Sequence, residues 1–221
     1  MRSPSHIEIY IIYSSIGVIW DWQVLENQYE APQSALDYLD DEQPVFYVVS
    51  MLKFTVLYIA TFGLYSLYWF YKHWSLYKAA TNANIWPIPR AIFSIFFVNR
   101  LFKEIDDSLE DEQDEFQWNP EVLAAIYIVV SVISHIMDRA AEADKWLPYS
   151  AFVSLLGLPI LFYTLYKAQQ AANLAEADPE GSINNNFTGL NVFWIVLGIL
   201  LWLVIGVGFL DMFGLITIPV E

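Results

Sequence analysis

LNVFWIVLGILLWLVIGVGFL, residues 190–210, runs for 21 residues without a charged side chain. A helix of that length covers the roughly 30 Å hydrocarbon core of a bilayer at about 1.5 Å per residue. A surface helix of a soluble protein needs only one apolar stripe, and this segment is apolar all round. It predicts an integral membrane protein.

Three further stretches read the same way. Residues 146–166, WLPYSAFVSLLGLPILFYTLY, carry Pro148 in the expected first turn and Pro159 inside, where it should kink the helix. That helix should run on into water through YKAQQAANLAEA, a series of good helix formers, until DPEG stops it. Residues 121–137, EVLAAIYIVVSVISHIM, follow Pro120, which suits a first helical turn. Residues 54–71, FTVLYIATFGLYSLYWFY, are 18 residues without a charge. Lys53 stands ready to snorkel at one end. Tyr68, Trp69, Tyr71, Trp74 and Tyr77 form an apparent aromatic belt at the other.

Residues 91–105 differ. They are 15 residues long, dense in Phe, Ile and Leu on one side, and interrupted by Arg100. This suits an amphipathic helix lying in the membrane interface. The expected fold class is therefore all-α: a multi-pass transmembrane helical bundle with four spanning helices and one interfacial amphipathic helix. Residues 51–214 form its single transmembrane domain, and residues 1–50 a polar, acidic, poorly packed N-terminal segment. Within the latter, residues 7–20 are apolar but short and contain Glu8, so residues 1–23 are expected to be dispensable for insertion.

Composition agrees: 57% of the residues are hydrophobic and 16% charged, against roughly 25% charged in a soluble domain. The net charge of −15 excludes nucleic acid as a partner, since phosphates require a basic patch. The acids cluster at residues 37–42, 104–115 and 176–180, read as solvated loops. Without cysteine there is no disulfide, thiolate nucleophile or thiolate zinc site. Counting Lys and Arg near the span ends, six (Lys72, Lys78, Arg90, Arg100, Lys103, Lys167) face four (Arg2, Lys53, Arg139, Lys145). With four spans this favours the first and third connections in the cytoplasm and both termini outside.

The stretch TFGLYSLYWFYKHW, ending at Trp74, resembles the T-x-G-[IL]-Y-x-x-Y-W-[FL]-Y-K signature of a group of small bacterial inner-membrane proteins of unknown function. NQYEAPQSAL at residues 27–36, RAIFSIFFVNRLF at 90–102 and DPEGSINNNFTGLNVFWIVLG at 178–198 are similar to longer members of that group. The resemblance implies a location in the bacterial inner membrane. It implies no activity.

Candidate chemistry is sparse. Tyr127, Ser131, His135 and Asp138 recur at i, i+4, i+8 and i+11 and so line one helix face. Asp211 ends the last span on the same expected side as Asp138, Arg139 and Lys145. These five residues form a candidate intramembrane polar cluster. It reads either as a proton or ion path or as inter-helix hydrogen bonding at a span end. Ser150, Ser154 and Gly157 give a small-residue face for helix packing, and Gly198, Gly206 and Gly208 could do the same. Asn186-Phe187-Thr188 matches the glycosylation triplet, a pattern common by chance. Catalytic motifs are lacking: there is no G-x-S-x-G, Walker glycine run or H-E-x-x-H. No cofactor or metal is expected. The expected role is a non-enzymatic structural or accessory subunit whose partners are the lipid bilayer and a second copy or another membrane protein. The alternative is a small oligomeric transporter or channel.

Overall fold

The computed structural model describes residues 44–109, 116–143, 145–147 and 149–216. The expectation for residues 1–23 lies outside them, as does Pro148. Among the described residues all regular structure is helical: α1 (Met51–Ala60), α2 (Tyr65–Thr81), α3 (Pro87–Ile92), α4 (Ser94–Asp106), α5 (Pro120–Glu142), α6 (Tyr149–Ala175) and α7 (Gly189–Met212). α5, α6 and α7 are long and apolar enough to cross a membrane.

Their ends follow local chemistry. Pro120 opens α5, and the Asn119 side chain accepts from the Val122 N–H. α6 keeps Pro159 inside it and continues past its apolar part to Ala175. The chain then turns through Asp178, whose carboxylate accepts from the Ser182 hydroxyl and the Ile183 N–H. Thr188 and Asn191 cap α7 reciprocally. The Asn-Phe-Thr triplet thus ends in a helix cap.

Residues 54–71 do not form one span. The run breaks after Ala60 and resumes at Tyr65, with Phe62 and Gly63 at positive φ. The Gly63 N–H reaches back to the Tyr58 carbonyl at 2.8 Å, and the Phe62 N–H to Ile59 at 3.2 Å. This paired pattern is the Schellman helix stop, which needs one left-handed residue and here uses a phenylalanine. Thr61 completes it: its Oγ1 donates to the Leu57 carbonyl and accepts from the Tyr65 N–H. The chain then reverses. Phe54 of α1 meets both Tyr65 and Trp69 of α2, so the two helices form an antiparallel hairpin.

The tip of the hairpin rests against the middle of two long helices. Gly63 lies on Leu158 of α6 and Ala60 on Gly198 of α7. The Trp202 indole donates to the Ile59 carbonyl at 2.8 Å, and Phe62 packs edge-on against its ring at 4.7 Å. Gly198 is nine residues into α7, about 13 Å from its start. Hydropathy alone could not separate this hairpin from a span, because both hide their flanks in apolar surroundings.

The segment read as one interfacial helix is two. α3 and α4 meet at a break at Phe93, whose N–H returns to the Pro89 carbonyl. Val98, Leu101, Phe102 and Ile105 of α4 are buried, in a core that also holds Leu123, Ala124 and Tyr127 of α5. Residues 44–50 correct a second expectation. The sequence predicts a poorly packed segment there, yet Phe46, Tyr47, Val48 and Val49 are buried. The acidic neighbourhood disguised an apolar run, Val45 to Val49, that joins the core.

The aromatic belt is a third correction. Trp69 and Trp74 are fully buried, while Tyr68 and Tyr71 remain exposed. Lys53 does not snorkel. It is buried and donates to the Asn184 side-chain oxygen and the Asn186 carbonyl, both at 2.7 Å.

Candidate functional site

Four of the predicted polar residues, Tyr127 to Asp138, are spread along α5, and Asp211 lies near the end of α7. Tyr127 is buried, and its hydroxyl lies 3.1 Å from Ser94 at the start of α4. Ser131 follows one turn on and is partly buried. His135, Asp138 and Asp211 are exposed. Asp138 accepts from Ser154 of α6. Eleven residues separate Tyr127 from Asp138, about 16 Å along the helix, so the residues share a face but not a site. Ser154 and Gly157 act as the small-residue reading expected: a Cβ on Gly157 would stand 2.2 Å from the Ser134 hydroxyl, so α5 and α6 approach closely there.

A denser polar site lies at the opposite end of the bundle and was not anticipated. Residues 46–50 belong to no helix or sheet and pass between α2 and the last turns of α6. A buried segment outside any helix or sheet must find other partners for its backbone groups. Side chains supply them. Gln169 and Asn173 on α6, and Glu176 in the turn just past its end, follow at i, i+4 and i+7 and face this segment. Asn173 accepts from the Val49 N–H at 3.3 Å and donates to the Val49 carbonyl at 3.0 Å. Its one amide group therefore does the work of a neighbouring strand. Gln169 donates to the Tyr47 carbonyl at 2.9 Å and to Asn173 at 2.7 Å, and accepts from the Trp69 indole. Glu176 accepts from the Phe46 N–H at 2.7 Å. From the following loop, Asn184 donates to the Val48 carbonyl at 2.9 Å and the Tyr47 hydroxyl at 3.0 Å.

His73 of α2 closes the ring. It is fully buried, and its Nδ1 accepts from the Tyr47 N–H at 3.4 Å. Its Nε2 is buried without a partner. Burial holds the imidazole neutral, pushing its pKa down to about 3, with Gln169 opposing weakly. Burial likewise raises the Glu176 carboxyl, against the backbone N–H groups of Phe46 and Val45. In sequence, Gln169 and Asn173 look like helix formers in water; in the structure both are buried. The signal that could have found them is their four-residue spacing among the alanines and leucine that end α6.

Among the described residues no group of three or more His, Asp or Glu side chains is placed to hold a metal ion. Apart from His73 Nε2, the arrangement has its donors and acceptors matched to one another and to the segment 46–50. Its chemistry is that of a clamp. It also accounts for the motif around Gly63: Thr61 and Gly63 make the hairpin stop, Tyr65 reaches the Tyr47 hydroxyl at 3.4 Å, and Trp69 anchors Gln169.

Comparison with protein families, with curated proteins and with solved structures returned no match.

Proposed function

We propose that this chain is a multi-pass membrane protein that acts without catalysis, as a structural or accessory subunit held to a partner inside the bilayer. The observation that carries this reading is α7. Of its 24 residues only Gly198 is buried, and the helix packs mainly on α1. Leu203 and Val204 are 61% and 69% exposed. An apolar surface of this extent marks a face for lipid and for another membrane protein.

In this reading the membrane is crossed three times, by α5, α6 and α7, and the α1–α2 hairpin enters it and returns. Irregular backbone at membrane depth is tolerated where protein buries it, and the hairpin stop is covered by α6 and α7. The clamp, α3, α4, the start of α5 and the end of α6 then share one side. That side carries Lys53, Lys72, Lys78, Arg90, Arg100, Lys103 and Lys167, against Arg139 and Lys145 opposite. Seven against two favours that side as cytoplasmic more strongly than a four-span count does. The resemblance around Gly63 supports the bacterial inner membrane.

The test is a photo-crosslinking residue at Val204, introduced into the full chain in its native membrane. A discrete protein adduct that is lost in detergent is expected. Adducts to lipid alone from Val204, Leu203 and Leu200 would overturn the reading. Ion flux from the purified protein in proteoliposomes would favour the channel alternative.

A further inference from the structure

From Pro44 to Lys103 the chain contains no Asp or Glu but six Lys and Arg, in a protein of net charge −15. This segment builds α1 to α4. At its far end α3 and α4 present a continuous exposed surface. Trp86, Ile92, Phe93 and Phe96 are 73%, 61%, 55% and 77% exposed. Phe93, Phe96, Arg100 and Lys103 are spaced i, i+3, i+7 and i+10, so one helix face changes from aromatic to basic along its length. Lone exposed apolar side chains are ordinary, but three aromatics and an isoleucine together beside two exposed cations are not.

Arg90 sits beside this face. Its guanidinium lies over the rings of Trp74 at 4.4 Å and Phe97 at 4.9 Å. Burial and the nearby Arg100 charge both work against the Arg90 cation, and Tyr77 and Glu104 offset them only in part. Arg100 pairs with Glu104 one turn on, which engages part of its five-donor fork. Two guanidiniums held close beside an apolar edge form a place where an anion with hydrocarbon attached relieves repulsion and covers the aromatics together.

We infer that α3 and α4 form a docking surface for an anionic phospholipid of the cytoplasmic leaflet, its phosphate against Arg90, Arg100 and Lys103 and its chains over Phe93, Phe96 and Trp86. The charge pattern selects this occupant. The cytoplasmic leaflet carries the negative surface potential, and a basic segment next to membrane helices is what it attracts. The inference rests on the reading above that α3 and α4 lie on the cytoplasmic side of a membrane protein, and adds that they touch its surface.

The test uses the full-length protein in phosphatidylcholine vesicles that contain either brominated-chain phosphatidylglycerol or the same fraction of brominated-chain phosphatidylcholine. The Trp86 signal is the difference between wild type and Trp86→Phe. Stronger quenching of Trp86 by the brominated phosphatidylglycerol is expected. Arg100→Gln with Lys103→Gln should weaken that preference by about fivefold for each charge removed. These two side chains are exposed, so the variant keeps its fold, and the preference should also fall with added salt. Glycerol phosphate in solution should leave the quenching unchanged. Equal quenching by both lipids overturns headgroup selection while leaving the interfacial placement standing. No quenching of Trp86 by either lipid overturns the placement itself. Displacement by glycerol phosphate would assign the site to a soluble phosphate and overturn the lipid.

Discussion

A Cβ atom on Gly198 would stand 1.9 Å from the carbonyl oxygen of Ala60. The hairpin is therefore seated on α7 by the absence of a side chain at Gly198 and by the Trp202 contacts with Ile59 and Phe62 one turn on. Gly198→Ala must push α1 and α7 apart. A loss of about 1–3 kcal/mol is expected, the usual cost of overpacking. It should appear as a lower midpoint in thermal unfolding of the detergent-solubilised protein. Gly206→Ala, with nothing within 4 Å, should leave the midpoint unchanged. Equal effects at the two positions would show that the Ala60 contact is not formed.

The hairpin makes a topological prediction that four spans do not. The chain has no cysteine, so single cysteines can be labelled without background. Pro44→Cys and Thr81→Cys should react with a membrane-impermeant maleimide from the same side, and Ala143→Cys from the other. Labelling of residues 44 and 81 from opposite sides would mean that residues 54–71 cross the bilayer after all.

The clamp predicts a specific loss. Asn173→Leu strands both the N–H and the carbonyl of Val49 in a buried place. Each stranded group costs about 1–3 kcal/mol. Limited proteolysis near residues 44–50 should accelerate in this variant. Unchanged cleavage would mean that the segment is held by its apolar side chains alone.

His73 predicts a pH dependence with a definite sign. Its folded pKa lies near 3, below the 6.5 of an unfolded histidine. The unfolded chain therefore takes up a proton that the folded one refuses. The contribution is complete above about pH 6.5 and is lost as pH falls towards 3, by at most about 1.4 kcal/mol per pH unit. His73→Asn, whose side-chain oxygen can replace Nδ1 as acceptor, should flatten the acid limb of a stability-against-pH curve. A limb of unchanged slope would remove His73 as its cause.

How far these features were legible in the sequence depends on what each side chain faces. α5, α6 and α7 follow from uncharged length, because a lipid-facing helix must be apolar on every side. The hairpin was hidden by the same rule. Phe54 to Tyr71 are as apolar as a span, and the stop depends on backbone geometry at Phe62 and Gly63. Glycine in mid-run was the visible sign, but phenylalanine at a left-handed position is one that residue type argues against. Trp69 and Trp74 looked like interface anchors because composition cannot tell a ring at a lipid headgroup from one packed under a buried segment. The Tyr127 to Asp211 cluster was drawn from helix spacing. That spacing put four of its members on one face, but not at one depth.

The clamp and the hairpin stop also impose an order in time. The Ile59 carbonyl finds the Trp202 indole 143 residues later, and Val49 finds Asn173 124 residues later. At typical rates of synthesis the first of these waits is on the order of ten seconds. During that interval the nascent hairpin has apolar flanks but none of its distant partners. It must be sheltered by the insertion machinery or left shallow in the bilayer, and it can settle only when α7 emerges. A chain interrupted before residue 200 would carry an inserted α5 and α6 beside an unseated α1 and α2, a distinct substrate for membrane proteolysis.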